Sequence, residues 1–278
     1  MDYYHFFIFD LEGTLWNGSH KVDSAFECLN NLHNEGKSLF FLSNDSTRTR
    51  KSAHSKLKKF GFEADIDHVY PSPYLACHAI KWRYPTVKRV YVIGMEGLAE
   101  EARDAGFEVV SSIEHNKKVI SSDQEFLDLP VDGIQAVIVG FDINFNYYKL
   151  AFASMIIQNG GHFFATDQDG FDMIGKKKGP GCGALVSALQ KATEVEPIVF
   201  GKPGTLGLEY IIQNHNIDKE RAIIIGDKIE NDIKLGNELG IDSCLVLSGA
   251  THKDDWRKEA TKGKGSILPT YVIEKVSP

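Results

Sequence analysis

The stretch that most constrains this chain is Tyr3 through Phe9, a nearly unbroken apolar and aromatic run that stops in Asp10-Leu11-Glu12-Gly13-Thr14. A run this short and apolar suits a strand buried on both faces, as in a parallel sheet covered by helices. Two carboxylates and a glycine directly after it make a polar turn. In open parallel α/β sheets, ligands gather just beyond the carboxyl ends of the strands. Paired acids with a Gly-Thr turn at that position suit a hard cation and a phosphate.

The same pattern recurs along the chain. A helical spacing over Val22–Glu35 closes at Gly36, and Ser38–Leu42 is a second buried strand ending in Ser43-Asn44-Asp45-Ser46-Thr47-Arg48. Lys51–Phe60 reads as the helix that this polar stretch caps. Pro197–Phe200 ends in Gly201-Lys202-Pro203, and Ala222–Ile225 ends in Gly226-Asp227, with Asp232 five residues on. From Ser72 onward the chain has its own alternation. Helices are expected over Tyr74–Trp82, Leu98–Ala105 and Tyr147–Gln158, and strands over Arg89–Ile93, Phe107–Val110, Ile134–Gly140 and His162–Ala165. That is sufficient for a second α/β layer. Gly170–Gly183, rich in Gly and Lys, is expected to be a loop returning to the first domain.

Composition narrows the function. With 278 residues there is room for two cores. The formal net charge of −7 argues against a nucleic-acid surface as the main business. The basic runs at Arg48–Lys51 and Lys176–Lys178 lack interleaved aromatics and suit anionic small molecules better. The four cysteines, Cys28, Cys77, Cys182 and Cys244, stand apart with no C-x-x-C pair, so buried free thiols are expected rather than a zinc site or disulfides. No basic leader precedes the first strand and no apolar run reaches the length of a membrane span. A soluble, cytoplasmic protein without membrane or nucleic-acid partners is the expectation.

If the four strands are neighbours in one parallel sheet, their polar ends face one crevice. Asp10 and Asp227 would supply oxygen ligands for magnesium, which takes few carboxylates plus water and phosphate oxygens. Lys202 offers a compact positive charge to a phosphate, and Ser43 with backbone donors near Asn44 would hold its remaining oxygens. A carboxylate such as Asp10 can serve as covalent nucleophile. Glu12, two residues further along an extended segment, would point to the same side and could shuttle protons.

The order Asp-x-x-Gly-Thr, Ser-Asn, Lys, Gly-Asp-x-x-x-x-Asp, each after an apolar strand, resembles the haloacid dehalogenase superfamily of phosphohydrolases. Leu15-Trp16, Asn44-Asp45-Ser46 with Arg48, and Gly140-Phe141-Asp142 leading to Tyr148-Lys149-Leu150 are similar to its p-nitrophenyl-phosphatase group. So are Ala165–Asp169, Pro180–Ala184, Gly201-Lys202-Pro203 and Leu247-Ser248-Gly249. That group includes phosphoglycolate, pyridoxal and nucleotide-monophosphate phosphatases. The resemblance implies an α/β fold: a Rossmann-like parallel-sheet core from residues 1–71 and 179–278, carrying an inserted α/β cap at 72–178. It also implies Asp10 as nucleophile and Glu12 as acid/base. Magnesium would be held by Asp10, the Glu12 carbonyl and Asp227, with Asp232 supporting its water shell. Ser43, Asn44 and Lys202 would hold the phosphate, and Thr166, Asp167 and Asp169 of the cap would select the rest of the substrate.

The function expected from the resemblance is magnesium-dependent hydrolysis of a small phosphorylated metabolite through an aspartyl-phosphate. It also leaves room for a homodimer through the cap. Two positions depart from the family's pattern: Glu12 stands where it places an aspartate, and Asp45 where it commonly has asparagine. They motivate the alternative, a catalytically attenuated or silent relative that binds a phosphorylated ligand or a protein partner. Transfer of the phosphoryl group to an acceptor other than water would use the same site.

Overall fold

The computed structural model describes residues 3–175, 177–263, 265 and 267–278, so Lys176 of the basic run lies outside the described residues. The chain divides into two units, 1–43 with 50–70 and 202–278, and 44–49 with 71–201.

The first unit is built on a six-stranded sheet. From edge to edge its strands are Tyr271–Ile273, Asp242–Val246, Ala222–Gly226, Phe6–Phe9, Ser38–Ser43 and Val69–Pro71. Phe6–Phe9 lies at its centre, parallel to both neighbours, with Phe9 beside Phe41 on one side and Ile225 on the other. Phe7 and Phe9 join one core cluster with Phe41, Ile223 and Ile225. Ile8, on the opposite face, is also fully buried. Each such side chain contributes about 1.5–3 kcal/mol by leaving water. The expected burial on both faces is therefore observed.

The helix Ala25–Asn34 turns Ala25, Phe26, Cys28, Leu29 and Leu32 inward, and Gly36 at φ 76° ends its last turn. Trp16–Asn17 and His20–Lys21 form a small antiparallel hairpin that the apolar pattern did not reveal. The helix Lys253–Thr261 and the strand Tyr271–Ile273 were likewise not foreseen.

The second unit carries a five-stranded parallel sheet in the order Ile198–Val199, His162–Ala165, Ala136–Val139, Arg89–Ile93, Glu108–Ser111. Two features move its boundary from the expected residue 178 to Gly201. Ile198–Val199 pairs with Phe164 and Ala165 of this sheet rather than with the first unit's. The helix Cys182–Thr193 buries Cys182, Val186 and Leu189 in the same core as Phe152, Val139 and Phe163. Asn44–Thr49 also belongs here: Ser46 Oγ accepts from the Phe141 amide at 2.9 Å, and Ser72 Oγ donates to the Asn44 carbonyl at 3.2 Å.

The segment expected as a loop at 170–183 contains an antiparallel ribbon, Phe171–Ile174 against Lys177–Pro180. Its cross-strand pairing overrides the turn-like composition. All four cysteines are free and buried, as expected. No helix among the described residues is long and apolar enough to cross a membrane.

Candidate active site

The parallel register of the first unit's central strands gathers the acids. Phe9 pairs with Ile225, so Asp10 and Asp227 leave adjacent strands one and two residues past that pair. Lys202 is buried between carboxylates, its Nζ donating to Asp10 Oδ1 at 2.5 Å and to Asp232 Oδ1 at 2.6 Å. Asp232 gets there through a π-helical turn, Ile229–Ile233, in which the Lys228 carbonyl accepts from the amides of both Asp232 and Ile233. Such turns are rare and frequently mark functional sites. The turn returns the Asp232 carboxylate to the Lys228 amide, which donates to Oδ2 at 3.0 Å. Thr14 Oγ1 donates to Asp10 Oδ2 at 3.2 Å.

One oxygen each of Asp10, Asp227 and Asp232 lie within 4.8 Å of one another. Two of these buried acids, Asp10 and Asp232, thus share one ammonium, with Asp227 close by. Burial pushes the Asp10 carboxyl up to about 6; Lys202 pulls against this, while Asp232 adds to it. Burial pushes Asp227 up to about 7, with Asp10 and Asp232 adding to it. For Lys202 burial acts downward, but Asp10 and Asp232 outweigh it and hold the ammonium protonated. A divalent cation would balance the charge that Lys202 leaves uncompensated.

Asp227 has the geometry for one. Its Oδ2 accepts from the Ala250 amide at 2.5 Å, while Oδ1 is buried with no hydrogen-bond partner among the described residues. The backbone is pressed close around this side chain: a Cβ at Gly13 would stand 2.2 Å from Asp227 Oδ2, and one at Gly249 2.0 Å. Ser248 Oγ pins the turn by donating to the Gly13 carbonyl at 2.8 Å. By contrast both oxygens of Asp232 are occupied, by Lys202 and Lys228. The residues present fit a magnesium ion at Asp10 and Asp227, hard oxygen donors of which Asp227 Oδ1 has no partner among the described residues.

Glu12 behaves differently from the acids around Lys202. Its side chain is 58% exposed, with Oε1 accepting from the Gly18 amide at 2.5 Å and Oε2 lying 3.8 Å from Lys56 Nζ. The hairpin that follows offers the Glu12 side chain a donor that the expectation of an extended segment did not include. Ser43 is buried at the end of the strand beside Phe6–Phe9. Asn44 groups with the second unit.

In that unit Thr166 and Asp167 are buried against each other, Thr166 Oγ1 donating to Asp167 Oδ2 at 3.0 Å and the Asp169 amide to Oδ1 at 3.1 Å. Asp169 is half-buried and Gln168 exposed. Composition and spacing missed Lys56 and the Ala250 amide, and gave Thr14 only as part of the Gly-Thr turn. Only Thr14 had a visible signal, a hydroxyl four residues past a strand-end aspartate.

Comparison with known proteins gives a consistent picture. Residues 7–108 match the family model of haloacid dehalogenase-like hydrolases, and 199–277 match a second model of the same kind. The chain is 34% identical over 275 residues to the chloroplastic phosphoglycolate phosphatase 1A of Arabidopsis thaliana, covering 98% of this chain and 75% of that one. It is 32% identical to phosphoglycolate phosphatase 2 of the same plant, over 98% of this chain and 90% of that one. The solved p-nitrophenyl phosphatase from Archaeoglobus fulgidus superposes with a TM-score of 0.85 at 26% identity, covering 98% and 97% of the two chains.

Proposed function

The chain belongs to the haloacid dehalogenase superfamily, in its p-nitrophenyl-phosphatase and phosphoglycolate-phosphatase-like group, and is a phosphatase; on that premise we propose that it hydrolyses a small phosphomonoester with magnesium, through an aspartyl-phosphate on Asp10. The observation that carries this reading is the buried Lys202 joined to Asp10 and Asp232 beside Asp227, whose Oδ1 has no partner among the described residues.

In the first step an Asp10 carboxylate oxygen attacks phosphorus, the bond to the leaving oxygen breaks, and that oxygen takes up a proton. In the second, water attacks the acyl phosphate, releases inorganic phosphate and restores Asp10, giving a proton back. Loose phosphoryl-transfer transition states need positioning and charge neutralisation more than covalent help. Lys202 supplies a fixed positive charge, held in place by Asp232, and Thr14 orients the Asp10 carboxylate. Magnesium, held by Asp10, Asp227 and the Glu12 carbonyl, would screen nucleophile and phosphate from each other. Ser43 and Asn44 would bind phosphoryl oxygens, and Glu12 would move the proton.

The test is hydrolysis of p-nitrophenyl phosphate with magnesium and with a chelator. The native chain should turn over only with the metal, and Asp10→Asn should lose at least ~10³-fold in kcat. Turnover by Asp10→Asn would sink the mechanism. The exposed Glu12 carboxylate favours an attenuated enzyme, in which case Glu12→Asp raises the rate.

A further inference from the structure

Glu12 is held where it is by a second residue, and this bears on the proton transfer assigned to it. Its two carboxylate oxygens are engaged separately. Oε1 accepts from the amide of Gly18, which sits at φ 57° in the two-residue turn of the hairpin pairing Trp16 with Lys21. Oε2 faces Lys56 Nζ at 3.8 Å. To meet a leaving group, the Glu12 carboxylate must let go of both.

Lys56 is no ordinary surface lysine. It projects from the helix Arg50–Phe60 with its side chain only 15% exposed. Its ammonium stands 4.3 Å from the ring centroid of Trp16 and 5.8 Å from that of Phe60. Those rings pack on each other at 5.6 Å, and Trp16 is itself buried. Stacking over aromatic faces fixes an ammonium far better than solvent does. The same Trp16 is tied to Glu12 along the backbone, through a parallel bridge between the two residues and a 2.7 Å hydrogen bond from the Gly13 amide to the Trp16 carbonyl. Carboxylate and ammonium are therefore anchored to one buried indole.

We propose that Lys56 is a positioning residue: with the Gly18 amide it retains the Glu12 carboxylate in an outward pose and so sets the fraction of time Glu12 can exchange a proton with the reacting phosphoester. This rests on the reading of Glu12 as the acid/base of the proposed hydrolysis. The clamp suits the extra methylene of glutamate, which carries the carboxylate out to the Gly18 turn. An ion pair of this exposure is weak, so it biases the position of Glu12 without locking it.

The experiment uses five full-length proteins: native, Lys56→Met, Lys56→Arg, Glu12→Gln, and Lys56→Met with Glu12→Gln. Methionine keeps an apolar stem on Trp16 and removes the charge. Melting of the native, single Met and Gln, and double variants reports the contact without any turnover. The double variant should melt about 1–3 °C away from the additive expectation. Additive melts would remove the clamp.

The second readout is kcat and KM for p-nitrophenyl phosphate and for an alkyl phosphate, with magnesium. Lys56→Met should raise kcat about 2–5-fold with KM unchanged, the occupancy change such a pair permits. The change should vanish in the Glu12→Gln background, and Lys56→Arg should keep the native rate. A kcat change that persists without the Glu12 carboxylate would overturn the positioning role alone. Absence of turnover in the native chain would overturn the parent reading, and the positioning role with it.

Discussion

Gly249 backs directly onto Asp227, so closely that a Cβ built there would stand 2.0 Å from Asp227 Oδ2. Gly13 and the Ala250 amide press on the same oxygen, while Oδ1 has no partner among the described residues. Gly249→Ala should therefore push Asp227 off its place while leaving the sheet intact. Displacements on the ångström scale cost on the order of 10²-fold in rate. The expected result is a loss of that size in kcat/KM, with more magnesium needed for half-maximal activity. A magnesium titration of the variant's activity checks it, and an unchanged titration would contradict the assignment of Asp227 to the metal.

The second unit carries a fully buried ion pair. Lys149 Nζ lies 2.6 Å from Asp142 Oδ2 and 2.5 Å from Asn116 Oδ1, with neither partner of the pair reaching solvent. Removing one member of a buried pair strands the other's charge, at about 3–5 kcal/mol, whereas removing both is far milder. Lys149→Met should thus destabilise the chain by that amount, and Lys149→Met with Asp142→Leu should recover most of it. Urea unfolding of the two variants against the native chain measures this.

Asp167 makes stability depend on pH. Burial pushes its carboxyl up to about 7 from an ordinary 3.8, with Asp169 adding to the rise and the Asp169 amide and Thr166 hydroxyl opposing it. The folded chain thus holds this proton more tightly than the unfolded chain. The stability it lends is fully present below about pH 4, fades as pH rises, and is lost once pH passes about 7. Asp167→Asn, which cannot ionise, should flatten that slope and gain on the order of 2 kcal/mol at pH 8. Urea midpoints at pH 5 and pH 8 decide it: a gain that does not grow with pH would mean Asp167 is ionised in the fold.

Much of the fold could be read because each strand that matters is an apolar run with an abrupt polar end. Arg89–Ile93 and His162–Ala165 are observed with the expected limits, as is the helix Tyr147–Gln158. The meeting of Asp10 and Asp227 followed from the same strand-end logic, whereas Lys202 follows a strand that pairs in the five-stranded sheet and Asp232 comes in through the π-helical turn. What escaped was long-range or local in a way composition hides. Whether Ile198–Val199 pairs with Phe164 or with the first unit depends on a partner over thirty residues away. The ribbon at Phe171–Ile174 and Lys177–Pro180 is held by cross-strand hydrogen bonds that its glycines and lysines do not advertise. The contacts of Glu12 to Gly18 and Lys56 escaped because alternation along an extended segment describes a strand, and here the chain has already turned toward the hairpin at Trp16.

Asn44–Thr49 groups with residues 71–201 although the strand before it and the helix after it belong to the first unit. Its Ser46 hydroxyl accepts from the Phe141 amide, and a Cβ at Gly97 would stand 2.7 Å from the Thr47 carbonyl. A chimera that transplants only 71–201 from a related protein would therefore graft a body missing a piece of its own wall. Module exchange in this architecture has to move two cassettes, and the six-residue one is the easier to overlook.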